Sequence, residues 1–410
     1  MVHEVETMTT ADPSASPLRI LHVLRAPVGG LFRHVVDLAR AQAARGHQVG
    51  VVADSSTGGA KADEILDALA PSLALGVTRL KMRRLPHPSD LLVAYKVALL
   101  LRELKPDVVH GHGAKGGLYA RLPLLLPFYP RTSHHILRAY TPHGGSLHYD
   151  PDNLVNWLYM SAEQTLERVT DLIPFESEYA KSRFISNVGL NKAMALVVPN
   201  GIGPEEFEPV TPAPDAADFL YVGELRLCKG VDILIEALAI IGERTGLKPK
   251  LVLVGAGPDE NKFRSLGEKL GVSAQLQFRA PMPVRSAFRL GRIIVVPSRA
   301  ESLPYVVLEA IGAQVPIVAT NVGGLPEIFG GHADRLVPSD NALALAEAMI
   351  AMHKAPEVER AVTAREMAKY VGARFSLNAM ADGVLRGYRD AADLIAQQTK
   401  GDNSTFPQRI

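Results

Sequence analysis

Twice along this chain a short apolar run ends in a glycine-bearing turn, passes into an amphipathic stretch, and returns to an apolar run. Residues 18–24 (LRILHVL) open the first cycle. A turn over 26–30 follows, then Val35, Leu38, Ala39 and Gln42 at helical spacing, a stop at Gly46, and the run 48–53 (QVGVVA). That order predicts a strand–helix–strand unit, which implies a parallel sheet with helices on its faces. The pattern continues with a helix over 91–104, a strand over 107–110, a helix opening over 116–125, and strands over 137–141, 172–174 and 195–198.

The alternation breaks at 204–218 (PEEFEPVTPAPDAAD), a stretch rich in proline and acid and poor in periodic apolar residues. It is read as an interdomain linker. Beyond it the alternation restarts, with strands over 219–222, 250–254, 276–278, 293–296 and 316–319 and helices over 231–244, 260–270 and 305–312. A chain of 410 residues is too long for one ordinary core and suits two domains. The expected division is a disordered tail at 1–17, a domain at 18–203, the linker at 204–218, a second domain at 219–377, a helix at 378–398 and a flexible tail at 399–410. The fold class is α/β, with two Rossmann-like halves.

Composition narrows the function classes. Hydrophobic residues make up 47% and charged residues 21%, so a packed chain is expected. Forty-four basic and 43 acidic side chains leave a formal charge of +1, which gives no argument for nucleic acid as a partner. A single cysteine, Cys228, permits neither an internal disulfide nor a cysteine zinc site, and fits a reducing cytoplasm. Residues 1–17 lack the basic and apolar regions of a secretory signal. The apolar runs fall short of the roughly 20 residues a spanning helix needs.

The strongest local motif is Arg299-Ala-Glu301-Ser-Leu303-Pro304-Tyr305-Val-Val-Leu-Glu309-Ala. A strand feeds a polar turn, and Pro304 suits the first helical position, where its missing N–H costs nothing. The N–H groups of Tyr305 and Val306 then point out of a helix start, which favours an anion. Glu301 and Glu309 bracket that start, and a carboxylate can accept hydrogen bonds from a pair of sugar hydroxyls. The plain alternative is a loop charge and a solvated helix residue. A second motif, Tyr221-Val-Gly223-Glu-Leu-Arg226-Leu-Cys-Lys229-Gly230, lies at the carboxyl edge of the first strand of the second half. Its cations Arg226 and Lys229 suit a diphosphate, or they are solvated charges on a surface turn.

In the first half, Gly29-Gly30 lets backbone approach a phosphate, although G-x-G-x-x-G is absent. Histidines gather at two strand ends, His110-Gly-His112-Gly and Thr141-Pro-His143-Gly144-Gly. His110 and His112 alternate and can face one way on a strand. A metal site, structural histidines and a catalytic histidine all remain open, but no third ligand set is evident in the sequence.

Taken in order, these motifs resemble glycosyltransferase family 4, from about residue 18 to about residue 396. The carriers are Gly29-Gly30, Asp107-Val-Val-His110-Gly-His112, Thr141-Pro-His143-Gly, Val198-Pro-Asn200-Gly201, Gly223…Lys229-Gly230, Glu301-x7-Glu309 and Val322-Gly-Gly324-Leu-Pro-Glu327. The resemblance implies the GT-B architecture, with an acceptor domain facing a nucleotide-sugar domain and the C-terminal helix crossing back to the first. It implies a nucleotide-diphosphate sugar as co-substrate, retention of anomeric configuration and no metal for the chemistry. Residue by residue, Glu309 would hold the ribose, and Glu301 with Leu303, Pro304 and Tyr305 would meet the donor sugar. Lys229 and an arginine would hold the diphosphate near Gly223, with Gly30 closing on it. His143 would lie near the reacting sugar, and His112, His143 and Gly144 are the acceptor-side candidates. The family often places arginine where this chain has Glu224; Arg226 is the candidate to take its place.

A two-domain Rossmann oxidoreductase and a non-catalytic sugar-binding relative are the competing readings. The missing dinucleotide fingerprint speaks against the first and the retained motifs against the second. A glycan or lipid-linked acceptor in cell-surface polysaccharide or lipopolysaccharide synthesis is the expected setting, at the cytoplasmic face of the membrane. Peripheral membrane contact is suggested by Arg79-Leu-Lys81-Met-Arg83-Arg84 and by Arg121 and Arg131 among Leu, Phe and Tyr.

Overall fold

The computed structural model describes residues 16–125, 135–144 and 154–403. The first sheet holds β1 (Arg19–Leu24), β2 (Gln48–Asp54), β3 (Gly76–Leu80), β4 (Val108–His112), β5 (Leu137–Thr141), β6 (Leu172–Phe175) and β7 (Met194–Val197). The second holds β8 (Ala217–Val222), β9 (Leu251–Val254), β10 (Leu276–Arg279), β11 (Gly291–Val296) and β12 (Ile317–Ala319). Their spatial orders are β3-β2-β1-β4-β5-β6-β7 and β10-β9-β8-β11-β12, and every pairing is parallel. Parallel strands covered on both faces need near-continuous apolar sequence. β9 (LVLV) and the IIVV of β11 are buried throughout for that reason. β3 lies at the sheet edge, half-buried along its length, and was not anticipated because its sequence, GVTRL, carries a weaker apolar signal.

Strand order reverses between β1 and β4 in one sheet and between β8 and β11 in the other. Ligands of open parallel sheets bind outside the carboxyl ends at such reversals. Both reversal points carry the motifs read from the sequence.

The final helix, Leu377–Asn403, returns to the first sheet. Ala381, Val384, Leu385 and Tyr388 recur at helical spacing and are buried with Ile20, Leu38, Val108 and Leu137. Burial of Val384 and Leu385 contributes about 1.5–3 kcal/mol each, so this helix completes the core of the first domain. Arg45 pins it, donating to Asp382 Oδ1 at 2.8 Å and Asn378 Oδ1 at 2.9 Å.

Several boundaries differ from expectation. The C-terminal helix begins at Leu377 and runs to Asn403, past the expected end at 398. β4 extends through His112, because its histidines are buried partners of neighbouring strands rather than loop residues. Part of the expected linker is ordered: Pro204–Phe207 forms a 3-10 turn and β8 begins at Ala217. Pro304 is the extended residue before the helix Tyr305–Gly312, not its first helical residue. Residues 1–15, Arg131 and 145–153 lie outside the described residues, as does the end of the expected tail.

Candidate functional site

The first wall of the cleft is built from histidines. Strand register sets His22 of β1 beside His110 of β4, and Leu24 beside His112. Alternation on β4 turns His110 and His112 to one face, with ring centroids 4.0 Å apart. His34 comes from the helix Gly29–Ala44 and His143 from the turn after β5. All five rings are linked to at least one other by ring contacts.

Hydrogen bonds order this cluster. His22 Nε2 lies 2.8 Å from Gln42 Oε1, His22 Nδ1 lies 2.9 Å from His112 Nε2, and His112 Nδ1 lies 3.0 Å from His143 Nε2. His110 is saturated separately, by the Tyr388 hydroxyl at 2.7 Å and Thr141 Oγ1 at 2.9 Å. Burial holds His22 and His34 down at about 4, and His110, His112 and His143 well below the usual imidazole range. Neutral rings carry one proton each, so the chain of bonds is directional. With Gln42 Oε1 as acceptor, His22 donates from Nε2 and His112 donates to His22. His143 donates to His112 in turn. His143 sits at φ +52°, a left-handed conformation uncommon for a side chain of this size.

The second wall is the donor-side motif. Lys229 Nζ donates to both oxygens of Glu301, at 2.7 and 2.9 Å, and Ser298 Oγ donates to Glu301 Oε1 at 2.7 Å. Two glycines let the chain fold this tightly. A Cβ on Gly323, at φ +58°, would lie 1.8 Å from the carbonyl oxygen of Glu301, and one on Gly230, at φ +67°, would lie 1.9 Å from that of Pro297. Glu309 lies inside the helix Tyr305–Gly312, nearly buried. Burial, then the facing Glu206, raises its carboxyl to about 6 against the opposing pull of Arg33. Gly223 closes β8, its N–H bonded to Val254 O at 3.0 Å. Arg226 pairs with Glu224 at 3.1 Å, both side chains nearly half exposed.

The two walls meet across the cleft. Arg33 of the first domain is ion-paired with Glu309 and Glu206, and its guanidinium stacks 4.4 Å from the Tyr305 ring centroid. A Cβ on Gly30 would lie 3.4 Å from the Tyr305 ring, and one on Gly144 would lie 3.4 Å from Ser302 Cβ. Ser302 Oγ donates to Glu176, a buried acid at the end of β6 whose carboxyl burial pushes up. Asn200 bridges both sides: its Oδ1 lies 3.0 Å from His34 Nδ1, and its Nδ2 donates to Leu303 O at 2.9 Å. Glu327 accepts from the N–H groups of Glu178 and Tyr179, each at 2.9 Å, at the start of the helix Glu178–Asn187.

Thus Lys229 and Glu301 touch, and Gly30, Tyr305 and Glu309 share one corner through Arg33. His112, His143 and Gly144 line the opposite side. Arg226 stands apart from that group, paired instead with Glu224. Sequence reading passed over His22, Arg33, His34, Glu176 and Ser302. The β1–β4 neighbour relation of a Rossmann-like order was the signal for His22; the others depend on how the domains face. Arg121, counted among surface cations, is fully buried, because its guanidinium pairs with Glu163 at 3.1 Å and stacks 3.9 Å from the Tyr140 ring.

The chain is similar to known proteins over both domains. Residues 28–206 match the model of Glycosyltransferase Family 4, and residues 204–369 match that of Glycosyl transferases group 1. EpsD of Bacillus subtilis (strain 168), named as a glycosyltransferase, is 30% identical over 298 residues, covering 68% of this chain and 76% of that one. A D-inositol 3-phosphate glycosyltransferase of Actinosynnema mirum is 30% identical over 227 residues, covering 50% of this chain and 54% of that one. The chain therefore spans only about half the length of that second relative. Among solved structures, Anabaena HepE in complex with UDP-glucose superposes with a TM-score of 0.71 at 17% identity, covering 93% of this chain and 100% of that one, a likeness of fold. The chain belongs to glycosyltransferase family 4, the group 1 glycosyltransferases.

Proposed function

We propose that this glycosyltransferase moves a hexose-type sugar, with retention, from a nucleotide-diphosphate donor to a glycan or lipid-linked acceptor. The observation that carries the reading is the Lys229–Glu301 pair at the carboxyl edge of the second sheet, next to Ser302, which meets Gly144 across the cleft. Glu309 holds the ribose hydroxyls. Glu301 and the backbone from Leu303 to Tyr305 meet the sugar and phosphates. Lys229, with Arg226 as the second cation, stabilises the departing diphosphate as positive charge grows on the anomeric carbon. The bond from that carbon to the diphosphate breaks, and a bond to the acceptor oxygen forms on the same face. The acceptor proton passes to the leaving phosphate oxygen. No carboxylate is assigned as a covalent nucleophile. HepE, solved with UDP-glucose, makes a uridine diphosphate sugar the first donor to try.

The setting is cell-surface polysaccharide or lipopolysaccharide synthesis, with the first domain at the cytoplasmic membrane face. The helix Ser89–Leu104 supports this placement. It exposes Leu91, Leu92 and Leu99, with Leu85 just before it and Lys81, Arg83, Arg84 and Lys96 exposed around them. Apolar and basic side chains together suit an anionic bilayer. No helix among the described residues is long and apolar enough to cross a membrane.

A panel of nucleotide sugars tests the reading. One member should raise the melting temperature and yield a product whose anomeric NMR signal keeps the donor configuration. Inversion would remove the proposed mechanism, and indifference to every nucleotide sugar would remove the donor class.

A further inference from the structure

We propose that His34, His112 and His143 form a binding site for one divalent transition metal of the zinc type. One ring nitrogen from each lies within 4.8 Å of the others. His112 Nδ1 and His143 Nε2 are 3.0 Å apart. Two nitrogens bound tetrahedrally to zinc at about 2.0–2.1 Å stand about 3.3 Å apart, so the His112–His143 pair opens slightly and the three rings draw together around the ion.

The proton pattern selects these three rings. Asn200 donates from Nδ2 to Leu303 O, so its Oδ1 faces His34, and His34 must carry its proton on Nδ1. That leaves His34 Nε2 as a bare lone pair, and this atom is buried without a partner. An orphaned buried acceptor is costly, and a metal satisfies it. His112 donates from Nε2 to His22, which donates to Gln42, so His112 carries its lone pair on Nδ1, where it accepts from His143 until an ion takes that proton's place. His143 presents Nε2 by moving its proton to Nδ1, so no net proton is released. Asn200 and the His22–Gln42 pair supply the outer hydrogen bonds that orient ligating imidazoles.

A second triad, His22, His110 and His112, meets the same distance limit but contains no unpartnered ring nitrogen of the kind His34 Nε2 supplies. Both nitrogens of His22 and of His110 are hydrogen-bonded to other groups. Three imidazoles without a carboxylate favour Zn²⁺, Co²⁺, Ni²⁺ or Cu²⁺ over Mg²⁺ or Ca²⁺. Three protein ligands leave a fourth position for water or a sugar hydroxyl. The ion would tie His143 to the wall of the acceptor domain.

The test is Co²⁺ titration of the full chain, freed of any histidine tag and stripped with chelator. One equivalent should produce the visible bands of a low-symmetry cobalt site, and Zn²⁺ should abolish them. His34→Gln and His143→Gln should each weaken binding by more than the roughly 10–100-fold typical of an outer-shell change. His110→Gln should retain one equivalent. Absence of the bands in the unaltered chain would overturn the proposal, as would full binding by folded His34→Gln and His143→Gln proteins. If a variant misfolds, titration of the unaltered chain with Zn²⁺ followed by melting temperature still decides, since a metal held by the native state must raise it. The readout is metal binding alone, so it fails or succeeds apart from the donor assignment.

Discussion

Arg33, in the first helix of one domain, is ion-paired with Glu309, inside the donor-side helix of the other. The contact joins the proposed ribose-holding carboxylate to the acceptor domain. Glu206 is the second acid on the same guanidinium. Asp37 is the third, 3.3 Å from Arg33 Nε, so replacing Arg33 with Gln leaves three acids together with little solvent. Breaking a partly buried pair of this kind falls between the small cost of an exposed pair and the roughly 3–5 kcal/mol of a buried one. Arg33→Gln should therefore lower the urea midpoint measurably. An unchanged midpoint would mean that the contact contributes nothing to holding the domains together.

The same pair sets a pH dependence. The Glu309 carboxyl is raised to about 6, chiefly by burial and then by Glu206, while Arg33 works against both. Its folded value lies above its unfolded one, so its contribution to stability is fully present below the unfolded value and is lost as pH rises through about 6. Binding runs the other way. The ionised carboxylate offers both oxygens as charged acceptors to the ribose hydroxyls, and protonation turns one of them into a donor, so nucleotide affinity should fall as pH drops through about 6. Calorimetry across that range with UDP would show the step. Glu309→Gln should flatten it, and Arg33→Gln should move it upward. A step that persists unchanged in Glu309→Gln belongs to another group.

Lys229 is proposed as the main cation for the departing diphosphate. Lys229→Ala should lower kcat/KM by about 10²–10³, the range seen when one preorganised transition-state donor is removed. Ser298→Ala removes only one of the groups holding Glu301 and should cost less. Both proteins should keep the far-ultraviolet circular dichroism of the parent. Parent-like transfer by Lys229→Ala would take the diphosphate away from this residue.

How far the sequence foretold this arrangement depended on the range of the signal. The interior strands β1, β2, β9 and β11 are apolar runs, and a short window reveals them. Glu301, Lys229 and Glu309 were legible because each sits in a local strand–turn–helix motif of its own. The edge strand β3 was not: in GVTRL the glycine, threonine and arginine interrupt the apolar run, whereas the equally half-buried edge strand β7 reads MALV. Arg33 was not either: its partner lies 276 positions away, and nothing near Arg33 distinguishes it from a solvated helix cation. Arg121 failed in the opposite sense. It looked like a surface charge, and only the fold supplies Glu163 to neutralise it inside. A charge inside the core is legible only once its partner is placed.

Gly323 should prove as important as the acids it supports. Its φ is +58°, and an added Cβ would fall 1.8 Å from the carbonyl oxygen of Glu301. The backbone carrying Glu301 must move for Ala to fit, and backbone in the left-handed region adds strain of about 1 kcal/mol or more. Gly323→Ala should lower both melting temperature and donor affinity. Gly331→Ala is the control, since nothing lies within 4 Å of its would-be Cβ. Equal behaviour of the two variants would show that the Glu301 loop yields freely.

The membrane contact proposed for the helix Ser89–Leu104 can be tested apart from catalysis. Leu91 and Leu92 are 62% and 56% exposed on the face away from the buried Val93, Ala94, Val97 and Ala98. Exposed neighbours of this size have no packing role, so Leu91→Ser with Leu92→Ser should leave the melting temperature unchanged. Each leucine lost from a bilayer surface forfeits part of its roughly 1.5–3 kcal/mol of burial, so flotation with anionic vesicles should drop strongly. Charge contributes through Lys81, Arg83, Arg84 and Lys96, hence binding to anionic vesicles should weaken as salt rises. Transfer to a water-soluble acceptor should be unaffected, because Leu91 and Leu92 face solvent on a helix that packs against Gly113–Arg121 of the first domain. Flotation that ignores both the double variant and salt would place membrane contact elsewhere on the chain or exclude it.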